Sequence, residues 1–115
     1  MNNSQQIYPE ALRSLAFGSI SGSYAGLGTP LDFPGRLYYL VNTTDVLLTF
    51  SWDGVTDHFV LAAGSQMVID VTANRTATGG AFMVSELTRT YVKGAPTSGS
   101  VYLTSFFGVN GSGLY

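Results

Sequence analysis

The stretch "FSWDGVTDHFVL", Phe50 to Leu61, holds two aspartates, Asp53 and Asp57, and the chain's single histidine, His58, beside its single tryptophan, Trp52. Carboxylates and imidazole bind metals and carry protons, so this is where chemistry would first be sought. A metal site wants three or four converging ligands. Asp53, Asp57 and His58 supply three. Their spacing matches no calcium loop, which runs D-x-[DN]-x-[DN]-G towards a glutamate. A hydrolytic zinc site brings more than one histidine. Asp-Gly is instead the leading signal for a tight hairpin, because Gly54 takes positive φ cheaply and Asp53 tolerates it. The flanks read as strands, and residues 54–57 leave room for a longer loop in which Asp57 or Thr56 caps backbone N–H groups. The expectation is a structural hairpin, with no metal, no cofactor and no catalytic role for His58.

The other routes to catalysis are closed by residue type. Asp32, Asp45 and Asp70 each sit beside turn signals rather than forming an acid–base pair. A nucleophile triad has one possible base, His58, and no G-x-S-x-G elbow. "GLGTPLDFPG" has glycines but neither a lysine nor a following helix to cradle phosphate. A non-enzymatic protein is expected. Tyr8, Tyr24, Tyr38, Tyr39, Trp52, Tyr91, Tyr102 and Tyr115 leave a carbohydrate-binding face as an alternative, although tyrosines in small β-domains commonly straddle core and surface.

The elements that must position these residues are strands. β-Branched and aromatic residues alternate with turn punctuation, and the pattern predicts strands at 15–20, 36–42, 46–52, 58–62, 66–72, 81–84, 87–93 and 100–107. "NTTD", "AAGS", "ANRTATGG" and "GAPTSG" separate them. Pro9 in "PEALRSLAF" allows at most one turn or two of helix near Pro9 to Ser14, although its apolar spacing also fits a strand. The fold class expected is all-β: a single-domain antiparallel β-sandwich, jelly-roll-like or Ig-like. Residues 1–10 read as an N-terminal arm, 11–108 as the sandwich and 109–115 as a C-terminal tail.

Composition narrows the partners. The chain has 115 residues, one domain's worth, and no cysteine, so neither disulfides nor thiolate metal sites can staple it. Charged residues make up 10%, against a usual share of about 25%. A small surface so poor in charge fits a protein that buries much of its outside against neighbours. The net charge is −2 and the five cations are scattered, which leaves no electrostatic footprint for nucleic acid. No apolar run approaches the roughly 20 residues of a membrane span. "MNNSQQIYPE" lacks the pattern of a signal peptide, so synthesis in a cytoplasm and solubility until assembly are expected. The sequons at Asn2, Asn42, Asn74 and Asn110 read as turn residues. In "RLYYLVN" and "LTRTYVK" both strand faces carry bulk. Arg36, Tyr38, Arg89, Tyr91 and Lys93 are therefore the expected subunit-interface residues, joined by Leu114 and Tyr115 at the tip of a Gly/Ser tether.

Several phrases carry a resemblance: "SISGSYAGLGTPL", "LVNTTDVLLTFSWDGVTDHFVLAAGS", "DVTANRT" and "YVKGAPTSGSVYLTSFFG". Across residues 19–108 the chain resembles the small all-β virion structural proteins of tailed bacteriophages. The resemblance implies a homo-oligomeric virion component, made in the host cytoplasm. It would act as a capsid decoration or cement protein that stabilises the shell by protein–protein contacts with itself and the major capsid protein. A ring or adaptor subunit of the neck or tail is the alternative it also allows. It implies no cofactor and transfers no active-site residue. It marks Asp53, Gly54, Asp57 and the turn Pro96 to Ser100 as fold-defining hairpin positions.

Overall fold

A computed structural model describes residues 5–71 and 84–110 of the chain. Among the described residues nine strands form two antiparallel sheets packed face to face, an all-β sandwich. The first sheet contains β1 (Gln5–Pro9), β2 (Arg13–Ala16), β4 (Gly35–Asn42), β7 (Gln66–Asp70) and β9 (Ser100–Asn110). Its order is β1-β9-β4-β7, with β2 also paired to β9. The second contains β3 (Ala25–Gly26), β5 (Leu48–Ser51), β6 (Phe59–Leu61) and β8 (Tyr91–Lys93), in the order β3-β8-β5-β6.

Strand periodicity builds the core. In β4, Tyr38, Leu40 and Asn42 are fully buried while Leu37, Tyr39 and Val41 face half outward. Val101 and Leu103 of β9 join them from the same sheet. Leu48 and Phe50 of β5, Leu61 of β6 and Val92 of β8 close on them from the other. In the segment 87–93 the core face is Thr90 and Val92, both buried, which leaves Arg89, Tyr91 and Lys93 outside. Its strand is shorter than the alternation predicts. Leu87 takes φ 66, and its N–H donates to the Leu31 carbonyl at 2.8 Å instead of continuing a ladder, while the Leu31 N–H donates to the Thr88 carbonyl at 2.9 Å.

The N-terminal region differs from the expected arm. Pro9 does not start a helix: Gln5–Pro9 and Arg13–Ala16 are both strands along one edge of β9. Among the described residues the helical turn is a single 3-10 turn at Phe17–Ser19. Pro9 pairs with Phe106 and Arg13 with Leu103, so four steps on the edge strand face three on β9. That extra residue is a bulge. It turns both Glu10 and Arg13 inward, where they meet at 2.9 Å, almost wholly buried. Arg13 Nε donates to the Thr29 carbonyl at 2.7 Å and Nη2 to the Pro30 carbonyl at 2.8 Å. The Glu10 carboxylate accepts the N–H groups of Asp32 (3.1 Å) and Phe33 (3.3 Å). The long loop before β4 is thus tied to the edge strand. At the other end β9 runs to Asn110, so the paired region extends past both ends of the 11–108 span.

Asn42 is a second tie. Its Nδ2 donates to the carbonyls of Val46, Leu61 and Ala62, and its Oδ1 accepts from the N–H and the hydroxyl of Thr44. This fully buried amide joins β4 of one sheet to the β5 and β6 ends of the other. It is a structural amide, not a surface sequon. The expected strand at 81–84 lies outside the described residues except for Val84, which forms an isolated bridge to Gly35.

Three substitutions test these ties. At Gly99 (φ 85) a Cβ would lie 2.2 Å from the Thr43 carbonyl oxygen, whereas at Gly64 (φ 74) it would meet nothing within 4 Å. Gly64→Ala should cost only the left-handed backbone penalty, about 1–2 kcal/mol, and Gly99→Ala roughly 3–5 kcal/mol once overpacking is added. Arg13→Ala should cost about 3–5 kcal/mol by stranding a buried carboxylate. Urea unfolding of the three variants against the native chain measures all of these.

Candidate interface on the outer face of the second sheet

The segment Phe50 to Leu61 closes the β5–β6 hairpin, with Phe50 opposite Phe59 and Leu48 opposite Leu61. The connection spans residues 52–58, longer than a two-residue turn, with Gly54 at φ 79. Asp53 is the cap, not Asp57 or Thr56. Its Oδ1 accepts the N–H groups of Thr56 (2.7 Å) and Val55 (2.8 Å) and the Ser51 hydroxyl (2.8 Å). Those donors, the Thr56 and Val55 N–H groups first, hold its carboxyl well below the usual carboxylate range.

His58 is also consumed locally. Its Nδ1 accepts the Trp52 N–H at 3.0 Å, and its ring lies against the indole at 5.5 Å between centroids. The Trp52 Nε1–H donates at 3.3 Å to the Tyr38 hydroxyl, which is also 2.6 Å from Thr90 Oγ1. Asp53, Asp57 and His58 therefore point to three different sets of partners. Among the described residues no three His, Cys, Asp or Glu side chains gather into a metal-binding group.

From its cap the loop folds back across the outer face of β8. Gly54 sits against the Tyr91 ring. Asp57 pairs with Lys93 Nζ at 3.0 Å and accepts the Tyr24 hydroxyl. The Tyr24 donor, then Lys93, holds the Asp57 carboxyl below its usual range. The Tyr24 hydroxyl is pushed up to about 12, by desolvation and then by that carboxylate. Lys93 Nζ lies 4.7 Å from the Tyr24 ring centre, and the Arg89 guanidinium 5.4 Å from that of Tyr91. Arg89 also donates through Nε to the Gly28 carbonyl at 2.9 Å and lies across Gly26, where a Cβ would collide with it. The result is a partly exposed row of alternating aromatic and charged groups: Arg89, Tyr91, Lys93, Tyr24 and Asp57.

Of the expected interface residues, the structure brings together Arg89, Tyr91 and Lys93. Tyr38 is fully buried and Arg36 is 5% exposed. Neither presents a surface to a partner: Tyr38 lies on the core face of β4, and Arg36, at the irregularity in the β4–β9 register, lies against Gly108. Leu114 and Tyr115 lie outside the described residues. Tyr24 and Asp57 were missed as members of the row. The signal for them was weak, since they are 33 residues apart and only the loop's fold brings them together. The row also argues against sugar stacking: Tyr91 is flanked by Gly54 and Arg89, and Tyr24 carries Lys93.

No family model matches the chain, and no curated protein matches it. Among solved structures it is similar to a protein described under the words "Bacillus endospore appendages form a novel family of disulfide-linked pili". The identity is 18%, the TM-score 0.44, and 93% of this chain and 92% of that chain are covered. That protein is a spore appendage component rather than a tailed-phage one. Among the described residues no helix is long and apolar enough to cross a membrane.

The carboxylates set an acid limit. A carboxyl whose folded pKa is depressed stabilises the fold above its unfolded pKa, about 4, and that contribution is lost as pH falls below it. The thermal midpoint should therefore hold from pH 7 to about pH 5 and fall below about pH 4. Asp53→Asn should lower the midpoint at pH 7 and make the acid fall shallower. His58→Gln should leave the fold intact. Thermal unfolding followed by circular dichroism across that pH range checks all three.

Proposed function

We propose that the chain is a non-enzymatic structural subunit of a multi-copy assembly. The observation that carries this reading is the surface. Large apolar side chains stand exposed at Leu12, Leu47, Val55 and Leu87 in a chain with only five cationic and seven acidic residues. The groups that sequence reading singled out for chemistry support the same view. Asp53 caps a loop, His58 holds the Trp52 N–H, and Asp57 pairs with Lys93.

In its finer form the assembly is the virion of a tailed bacteriophage, and the chain is a decoration or cement protein on its capsid. The resemblance of residues 19–108 to phage structural proteins supports this form. The contact surface proposed is Arg89, Tyr91 and Lys93 with their neighbours Tyr24 and Asp57, completed by Leu114 and Tyr115 of the C-terminal tail. Tyrosine and arginine are the side chains that most often carry binding energy. The pairs within the row hold them in place before a partner arrives, which lowers the entropy cost of docking.

The test is co-sedimentation of the purified full chain with phage capsids stripped of it. Saturable, multi-copy binding and a higher temperature of shell disruption are expected. Tyr91→Ala should weaken binding by at least tenfold while leaving the fold intact. A chain that ignores capsids would overturn the cement reading, and one that binds isolated necks or tails instead would replace it.

A further inference from the structure

β7, Gln66–Asp70, is an outer strand of the first sheet: among the described residues its only strand partner is β4. Natural edge strands are normally blunted by lysine, proline or a bulge. β7 has none of these; its sequence is QMVID and its ladder to β4 is unbroken from Gln66 to Asp70. The bonds from Val71 N–H to the Arg36 carbonyl and from Asn42 N–H to the Ser65 carbonyl fix the phase of that ladder. Residues 65, 67, 69 and 71 turn their backbone groups to β4. Gln66, Val68 and Asp70 must then turn theirs to the second edge, because backbone groups alternate along a strand.

The three outward residues are symmetric about Val68. If a second copy approaches antiparallel on a twofold axis, Val68 falls opposite Val68 and Gln66 opposite Asp70. Each outward N–H then meets an outward C=O, and the five-residue edge is satisfied end to end. Side chains agree with that register. Gln66 Oε1 accepts the Tyr39 hydroxyl at 2.7 Å, which aims the amide NH₂ away from Tyr39. In the pair that NH₂ faces the Asp70 carboxylate of the second copy, and an amide donor suits a carboxylate acceptor. Val68, 51% exposed, packs on its own copy. On the inner side, Met67 and Ile69 are partly buried against the core. The same pairing sets Met67 beside Ile69 of the second copy and covers the apolar surface each leaves open. A twofold contact needs one self-complementary patch, and this strand is one.

We infer that β7 is the twofold interface between two copies of this chain, joined into one continuous sheet across the Val68 pair. The interface is separate from the Arg89–Tyr91–Lys93 row and holds whichever particle the chain joins.

The full chain carries no cysteine, so single-cysteine variants report without interference. In the twofold pair the two Val68 Cα atoms lie about 5.5 Å apart, within disulfide reach. Val68→Cys under mild oxidation should give a disulfide-linked dimer at least tenfold faster than Val55→Cys, a more exposed position in the 52–58 loop. Val68→Lys sets like charges face to face. It should remain folded by circular dichroism and run as a monomer by light scattering at concentrations where the native chain is a dimer. Its binding to capsids, read on the same sample, separates this interface from the proposed docking row. A native chain that is monomeric at high concentration overturns the inference. So does an oligomer that Val68→Lys leaves unchanged, or equal cross-linking at positions 68 and 55.

Discussion

The ion pair between Glu10 and Arg13 is the constraint from which the rest of the architecture follows. Burying two charges costs several kcal/mol each unless their hydrogen-bonding capacity is met. Here it is met by the carbonyls of Thr29 and Pro30 and the N–H groups of Asp32 and Phe33. Those partners all lie on the long loop before β4. The pair therefore fixes a loop that periodicity alone would leave loose, and the loop in turn seats Leu27 and Leu31 in the interior. From there Leu27 N–H bonds to the Thr90 carbonyl and Leu31 N–H to that of Thr88. This hands the constraint to the segment leading into β8. The bulge in the edge strand exists to make the pair possible. Without the extra residue, positions 10 and 13 would face opposite sides of the sheet.

Asn42 and the Tyr38–Thr90–Trp52 set do for the two sheets what Glu10 and Arg13 do for the loop. Each places a polar group where apolar packing alone would tolerate sliding. Phe50, Val92 and Leu40 share one apolar core, and apolar burial has little directional preference. An amide that must find three carbonyls at once allows one arrangement. The outer row then inherits its geometry. Tyr91 and Lys93 are held by β8, and the loop that covers them starts one residue beyond Ser51, whose hydroxyl bonds to Asp53.

Much of this was legible in the sequence where burial follows alternation. β4, β5, β6, β7 and β9 were anticipated to within a few residues, as was the Asp53–Gly54 hairpin. Alternation fails where a polar residue faces inward. Nothing in the alternation marks Glu10 and Arg13 as a buried pair, because charged residues are seldom buried. Arg36 and Tyr38 read as interface residues because both faces of "RLYYLVN" carry bulk. The structure spends Tyr38 on the core, buries Arg36 at a register irregularity against Gly108, and leaves Leu37, Tyr39 and Val41 half outward. The proline start at Pro9 misled for a related reason. Proline opens helices, but it equally suits an edge strand, where its missing N–H is not needed by the ladder.

The allocation of charge links these internal ties to assembly. Glu10, Arg13 and Arg36 are buried, and Asp45, Asp53 and Asp57 accept bonds from Thr97, Thr56 and Tyr24. Half of a small supply of charge is thus buried or spent on holding the chain's own loops. Solubility and edge protection, the two tasks that surface charge normally performs, are left to hydroxyls, amides and glycine. Such a surface resists neighbours weakly. Like copies meet with little electrostatic penalty, and unguarded edges and exposed valines and leucines gain by being covered. Such a surface fits the multi-copy assembly proposed above better than it fits a dilute monomer.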